Sequence, residues 1–192
     1  MKKTPILLGL CLFMALSVSA QKVKTSDNRP NVNSYFGLTT GINNIGGFAG
    51  LTFEGPFTPT FSGKVGLGIG GWGAKFALAG KYYKEFPTSW SFGAGYSTAS
   101  GAKNIDLELD VNGNQQKVKM NLDRSHNLDF VIGKAWGNKV RFGIEFGYSV
   151  PVAGGTYAPV DKNVVLSASS KQVLDLLSPS GLILGLGLGF RL

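Results

Sequence analysis

The segment 182–192, LILGLGLGFRL, alternates without a break. Leu182, Leu184, Leu186, Leu188, Phe190 and Leu192 share one parity, and Ile183, Gly185, Gly187, Gly189 and Arg191 share the other. A helix would spread the leucines around its circumference, whereas a strand puts the two sets on opposite faces. The same split recurs along the chain. In KVRFGIEFGYSV (139–150), Val140, Phe142, Ile144, Phe146, Tyr148 and Val150 oppose Arg141, Gly143, Glu145, Gly147 and Ser149. SWSFGAGYS (89–97), AKFALAGKYYK (74–84), FSGKVGLGIG (61–70) and NLDFVIGKAW (127–136) follow the same rule. Two weaker strands fall around 34–42 and 47–54. Eight strands result, mostly about 9–11 residues long, the length at which a tilted strand crosses a bilayer.

The connections sort by length. Those after the second, fourth and sixth strands are short, and those after the first and third are short and Gly-rich. Those after the fifth (99–125) and seventh (151–181) are long. Long loops on one side, with both strand termini on the other, are the pattern of an outer-membrane barrel. The expected fold is therefore all-β: an eight-stranded antiparallel up-and-down transmembrane β-barrel, its short side periplasmic.

Face composition points the same way. A soluble barrel holds its apolar residues inside. Here one face is large and continuously apolar, and the other is Gly, Ser, Ala and scattered charge. An eight-stranded barrel has an interior that side chains fill, so the small, charged face suits the inside and the large face suits lipid. Tyr82, Trp90 and Trp136 near one end, with Tyr96 and Tyr148 near the other, read as interfacial girdles. A soluble sandwich with core aromatics is the competing reading.

The first residues, MKKTPILLGLCLFMALSVSAQ, combine Lys2 and Lys3, an apolar run from Ile6 to Ala15, and small residues ending at Ala20. This is the pattern of a cleaved secretory signal peptide over 1–20, too short in its apolar run for a membrane span. A polar, Pro-containing lead follows over 21–33, and the barrel occupies 34–192. The single cysteine, Cys11, lies in the leader, so no disulfide or thiol chemistry is expected beyond it. The formal net charge is +8. Without Lys2 and Lys3 of the expected leader it is +6, and in an exported chain that charge points to phosphate-bearing lipid and not to nucleic acid. The 28 glycines accompany aromatics and follow no collagen period.

This strand alternation and the ending GLGLGFRL resemble the small eight-stranded outer-membrane barrels of the OmpX and OmpA transmembrane-domain type. The resemblance implies residence in the outer membrane of a Gram-negative bacterium, among outer-membrane lipid and lipopolysaccharide. It also implies that Leu188, Phe190 and Leu192, on alternate positions, form the signal read by the barrel-assembly machinery. Where the family ends on an aromatic this chain has Leu192, with Phe190 two residues earlier.

The first long loop carries IDLELDVNGNQQKVKM (105–120). Asn112-Gly113 is a strong hairpin signal. A two-residue turn there pairs Val111 with Asn114, Glu108 with Lys117 and Asp106 with Lys119. On the other face it pairs Leu107 with Val118 and Ile105 with Met120. Unlike charges oppose each other and apolar meets apolar, as cross-strand pairing rewards. The apolar phase is constant from Val118 to Trp136. It changes between Tyr96 and Ile105, which requires one extra residue near Ser100-Gly101. The hairpin is therefore expected as an extracellular extension of strands five and six. In the second long loop, SASSKQVLDLLSPSG predicts a short helix capped by Ser169 or Ser170 and ended by Pro179.

Candidate chemistry is sparse. Lys64, Lys75, Lys81, Asp129, Arg141, Glu145 and Arg191 point to the lumen by parity. They read as an ionic network filling the barrel or, alternatively, as a narrow ion pathway. His126 is the only histidine. It could suggest a lipid A-modifying His–Ser pair, but Ser125 is adjacent and so on the opposite face. One histidine and one leader cysteine leave only carboxylates as metal ligands, so neither cofactor nor metal is expected. The Gly-rich run 66–73 lacks the Lys-Ser/Thr and helix of a phosphate loop. The leading reading is a non-enzymatic, monomeric barrel whose extracellular loops 99–125 and 151–181 meet a protein partner, in adhesion or envelope integrity. The alternatives are a channel or a conduit for a small apolar ligand, and a lipid A-modifying enzyme.

Overall fold

The computed structural model describes residues 33–111 and 113–192. The expected leader, all but the last residue of the lead, and Asn112 lie outside the described residues. In chain order the elements are β1 (Tyr35–Ile42), β2 (Ala49–Pro56), β3 (Phe61–Gly70), β4 (Gly73–Tyr83), β5 (Trp90–Ala99), β6 (Ala102–Val111), β7 (Asn114–Leu122), β8 (Ser125–Trp136), β9 (Val140–Gly154), β10 (Tyr157–Pro159), α1 (Ala168–Leu177) and β11 (Gly181–Arg191).

Eight of these strands close into an antiparallel barrel, running β1, β2, β3, β4, β5, β8, β9, β11 and back to β1. The closing ladder runs from Tyr35 opposite Arg191 to Ile42 opposite Leu184. Register follows parity around the barrel, apart from a one-residue shift between His126 and Asn127 where β8 meets the upper end of β9. Tyr96 lies opposite Leu128, Ala94 opposite Phe130 and Phe92 opposite Ile132. Large apolar residues such as Leu67, Phe92, Phe130 and Leu186 stand outward and exposed, while Lys64, Lys75, Lys81, Ser97, Asn127 and Arg141 are buried inside. The three-residue loop 137–139 keeps this phase, with Gly137 in the left-handed region (φ 88°) and Trp136 stacked on Phe142 at 5.9 Å.

The second strand begins at Ala49, two residues later than the sequence pattern placed it. The residues before it turn into the barrel. Asn44, Ile45, Gly46 and Gly47 are buried. Asn44 holds the turn, with its side-chain oxygen accepting Gly46 N–H at 2.8 Å and its carbonyl accepting Gly47 N–H at 2.9 Å. The glycines of β3 make this possible. A Cβ on Gly66 would lie 2.4 Å from the Ile45 carbonyl oxygen, and one on Gly68 would lie 2.1 Å from that of Gly46. Any side chain there would fill the space the loop occupies.

The ribbon β6–β7 rises from strands β5 and β8 with the register its sequence predicts: Val111 opposite Asn114, Glu108 opposite Lys117, Asp106 opposite Lys119 and Ile105 opposite Met120. It does not continue the barrel ladder. The chain breaks at Gly101 (φ 72°), at a further register shift between Ala102 and Ile105, and between Leu122 and Ser125. The ribbon instead belongs to a separate three-stranded sheet, β10-β7-β6. Its apolar face has its own core: Leu109, Val111, Val118, Met120 and Leu122, packed with Trp72, Ala99, Leu166 and Leu174. A bare two-stranded ribbon is marginal in water. Burying each such aliphatic contributes about 1.5–3 kcal/mol, so the cover given by α1 holds the ribbon together. The cap of α1 is Ser167, whose hydroxyl accepts Ser170 N–H at 3.2 Å. Neither Ser169 nor Ser170 is the cap, and Ser170 is turned toward the ribbon instead.

Candidate functional site

The barrel interior is built in layers. At the short-turn end, Tyr35, Tyr83 and Phe86 form a buried cluster. Phe86 comes from the β4–β5 connection and meets both tyrosines edge-on, at 5.9 and 5.1 Å. Arg141 lies over the Tyr35 ring at 4.4 Å and the Phe86 ring at 5.6 Å, and it pairs with Glu54. Glu54 also accepts the Tyr83 hydroxyl at 2.5 Å and the Ser62 hydroxyl at 2.8 Å. A buried carboxylate so surrounded has its charge matched and its lone pairs used, the condition for an ion to sit in a small interior.

The middle layer is a triad. Glu145 on β9 reaches across the lumen to Lys64 at 2.6 Å and Lys81 at 2.8 Å. Glycines give these long side chains room. A Cβ on Gly93 would lie 3.0 Å from Lys81 Cγ, and one on Gly133 would lie 3.3 Å from Glu145 Cγ. Above it, Asp129 accepts the Ser149 hydroxyl at 2.5 Å, and Lys75 donates to the Asn43 carbonyl at 2.7 Å. The cavity left between Tyr35, Glu54, Lys64, Lys81, Arg141 and Glu145 measures about 40 Å³, room for a few waters and not for an organic ligand.

Six of the seven charges assigned to the lumen, Lys64, Lys75, Lys81, Asp129, Arg141 and Glu145, lie in this interior. Arg191 does not. It ends β11, so its side chain is exposed at the barrel mouth and donates to Asn138 Oδ1 at 3.3 Å. Glu54 carries no lumen assignment in the sequence pattern, because it sits at the edge of a weak strand. Its parity with Thr52, against Leu51 and Phe53, was the available signal. Phe86 gave no signal, because a turn residue has no alternation to read. Leu188, Phe190 and Leu192 stand on the outer face at the end of β11, exposed to 44, 44 and 70%.

The ribbon's hydrogen-bonding edges are partly closed. β10 covers β7, with Tyr157 opposite Leu122. At the top of β6, Ser167 N–H donates to the Asp110 carbonyl at 3.1 Å, while Ser170 Oγ bonds both Asp110 backbone groups. Backbone groups of a strand alternate in direction, so Asp106 and Glu108 present theirs on the same open edge below Asp110. Gly113 (φ 85°) donates its N–H to Asp110 Oδ1 at 2.8 Å. Lys117 and Lys119 are exposed opposite Glu108 and Asp106. The ion pairs among the described residues are Glu145 with Lys64 and Lys81, and Glu54 with Arg141. The unlike charges of the ribbon thus lie opposite one another in register without closing into salt bridges.

His126 stands on the outer face, its Nδ1 hydrogen-bonded to the Tyr96 hydroxyl and its ring stacked on Tyr96 at 6.0 Å. Ser125 is buried on the inner face and accepts from Asn127 Nδ2 at 3.3 Å. The structure therefore does not bring these two residues together.

No family model, curated protein or solved structure matches the chain.

Proposed function

We propose that this protein is a non-enzymatic integral outer-membrane β-barrel of the small eight-stranded kind. In this reading it is exported by its leader to the Gram-negative outer membrane and carries the ribbon and α1 on the cell exterior as a surface for an extracellular protein partner. The observation that carries the membrane reading is the inside-out distribution of side chains. Leu67, Phe92 and Tyr148 are 59, 60 and 58% exposed, while Lys75 and Lys81 are 2 and 4% exposed. Water penalises an apolar belt of that extent. Lipid covers it, and a closed ladder has no open sheet edge to leave unpaired in hydrocarbon. Trp90 and Trp136 at the short-turn end and Tyr96 and Tyr148 at the other suit the two interfaces. Lys134 lies over the Trp90 ring at 5.3 Å, the posture of a lysine lifting its charge out of the apolar layer.

The filled interior favours interaction over conduction. Glu145 and its two lysines occupy the middle, Phe86 and Arg141 close one end, and the loop 43–47 folds into the other. The long-loop end offers the partly open β6 edge, which can add a partner strand. In this reading lipid and lipopolysaccharide surround a monomer, and the end of β11 is what the assembly machinery reads.

Cysteine labelling on intact cells tests the placement. Residues Gln115 and Thr156 label from outside and Asn138 does not. A protein recovered in the soluble periplasmic fraction, or labelled at Asn138 alone, overturns it. Planar bilayers test the filled lumen: the refolded protein gives no discrete conductance steps.

A further inference from the structure

The apolar surface of this molecule does not stop at the barrel. The C-terminal turn of α1 rests on the β3–β4 turn, where a Cβ added to Gly71 would lie 2.5 Å from the Leu177 carbonyl oxygen and 3.4 Å from Leu177 Cβ. One large apolar residue of the barrel's outer face, Ile69 at the end of β3, reaches this rim. Ile69 is 66% exposed, and its carbonyl accepts Phe48 N–H at 2.7 Å. On the helix itself, Leu174 and Ser170 face inward to the ribbon. With 3.6 residues per turn, Val173 and Leu176 then lie on one flank on either side of the exposed Ser169, with Leu177 at its boundary with the inner face, and Lys171, Gln172 and Asp175 share the other. The polar flank is turned toward β10, where Asp175 accepts the Tyr157 hydroxyl at 3.0 Å. The apolar flank is uncovered, with Leu176 at 63% and Val173 at 50%. A ten-residue helix whose inner face is already occupied has no folding reason to carry a second apolar side.

We infer that this flank of α1 docks on the outer surface of the lipid bilayer, extending the barrel's lipid contact upward on the β3–β4 side. The inference rests on the membrane reading of the barrel. The occupant follows from continuity. The exposed flank begins at the rim where the barrel's apolar face ends, and from Leu177 to Val173 it climbs only about 6 Å at 1.5 Å per residue. That is within the roughly 5–10 Å of an interfacial helix's contact with the headgroup and acyl boundary. The ribbon, bound to the other side of α1 through Ser170 and Leu174, is thereby held at a fixed attitude to the membrane.

Depth-dependent quenching tests this. The full-length chain, with Cys11 replaced by serine, carries one cysteine at Leu176, Lys171, Asp106 or Phe130, each labelled with an environment-sensitive fluorophore. Each is refolded into phosphatidylcholine vesicles with and without brominated acyl chains. Strong quenching is expected at Phe130, roughly half as much at Leu176 because an interfacial site is shallower, and none at Lys171 or Asp106. Quenching at Phe130 with none at Leu176 overturns the docking and leaves the barrel in the membrane. No quenching at Phe130 overturns the membrane reading itself. A Leu176 signal that is shielded regardless of bromination and depends on protein concentration assigns the flank to a second copy of the chain, and so overturns the lipid assignment.

Discussion

Ser170 Oγ accepts the Asp110 N–H at 2.8 Å and donates to the Asp110 carbonyl at 3.1 Å. One hydroxyl thus satisfies both backbone groups of an edge-strand residue 60 positions earlier in the chain, where an unpaired edge would offer a template for pairing. It also fixes the start of α1 to the top of the ribbon, so that Leu174, one turn later, enters the ribbon core.

Ser170→Ala is expected to loosen this junction without unfolding the barrel. The Asp110 N–H loses its partner and the carbonyl keeps only the Ser167 N–H, at about 1–3 kcal/mol where water cannot fully replace the hydroxyl. Amide hydrogen exchange checks it: Asp110 and the α1 amides exchange faster, while β3 and β11 amides keep their protection.

Glu145→Gln should be the most destabilising of the interior changes. It leaves Lys64 and Lys81 buried with no neutralising charge between them, and breaking a buried ion pair costs about 3–5 kcal/mol. Adding Lys64→Met and Lys81→Met removes the stranded charges and should restore much of the loss. The urea midpoint of the refolded barrel reads both; a midpoint unchanged by Glu145→Gln would mean the triad is not formed.

Leu186→Arg and Gly187→Ser separate the two faces of one strand. Leu186 is outward, and arginine at the bilayer midplane costs about 2–4 kcal/mol in such barrels. A Cβ on Gly187 meets only ordinary contacts, the nearest 3.7 Å away at the Leu38 carbonyl oxygen. Folding yield into vesicles should fall for the first and hold for the second. Equal tolerance would argue for a soluble barrel.

Gly66→Ala should expel the in-folded loop, because the added carbon overlaps the Ile45 carbonyl. In an Ile45→Cys background, which leaves the Asn44 turn bonds in place, the thiol is buried and slow to react with a polar maleimide. Adding Gly66→Ala should speed that reaction, whereas Gly187→Ala should not.

Glu108→Lys places like charges opposite each other at Lys117 and should quicken exchange between Ile105 and Leu122, and the swap with Lys117→Glu should reverse it. Exposed cross-strand pairs contribute only about 0.2–1 kcal/mol, so the barrel should remain folded in both. A swap that recovers nothing would show that the register is not held by these side chains.

Parity was sufficient for the barrel. In a strand the side-chain period is two, so a segment such as LILGLGLGFRL states its two faces by itself, and a one-residue slip would invert both. The ribbon register was equally legible, because the turn length ties Val111 to Asn114 and every later pair follows. What alternation could not express was left to the tertiary structure. The partners of Glu145 lie across the lumen on β3 and β4, strands that it does not neighbour, and only closure of the barrel sets those distances. The loop 43–47 folds inward because glycines about twenty residues later leave it space, a relation with no local signature. Whether α1 covered the barrel mouth or the ribbon was likewise open in the sequence, since both offered apolar surface. The hydroxyl of Ser170 and the side chain of Leu174 decided for the ribbon once Asp110 and Leu109 were brought within reach, because hydrogen bonds and close packing act only over a few ångströms.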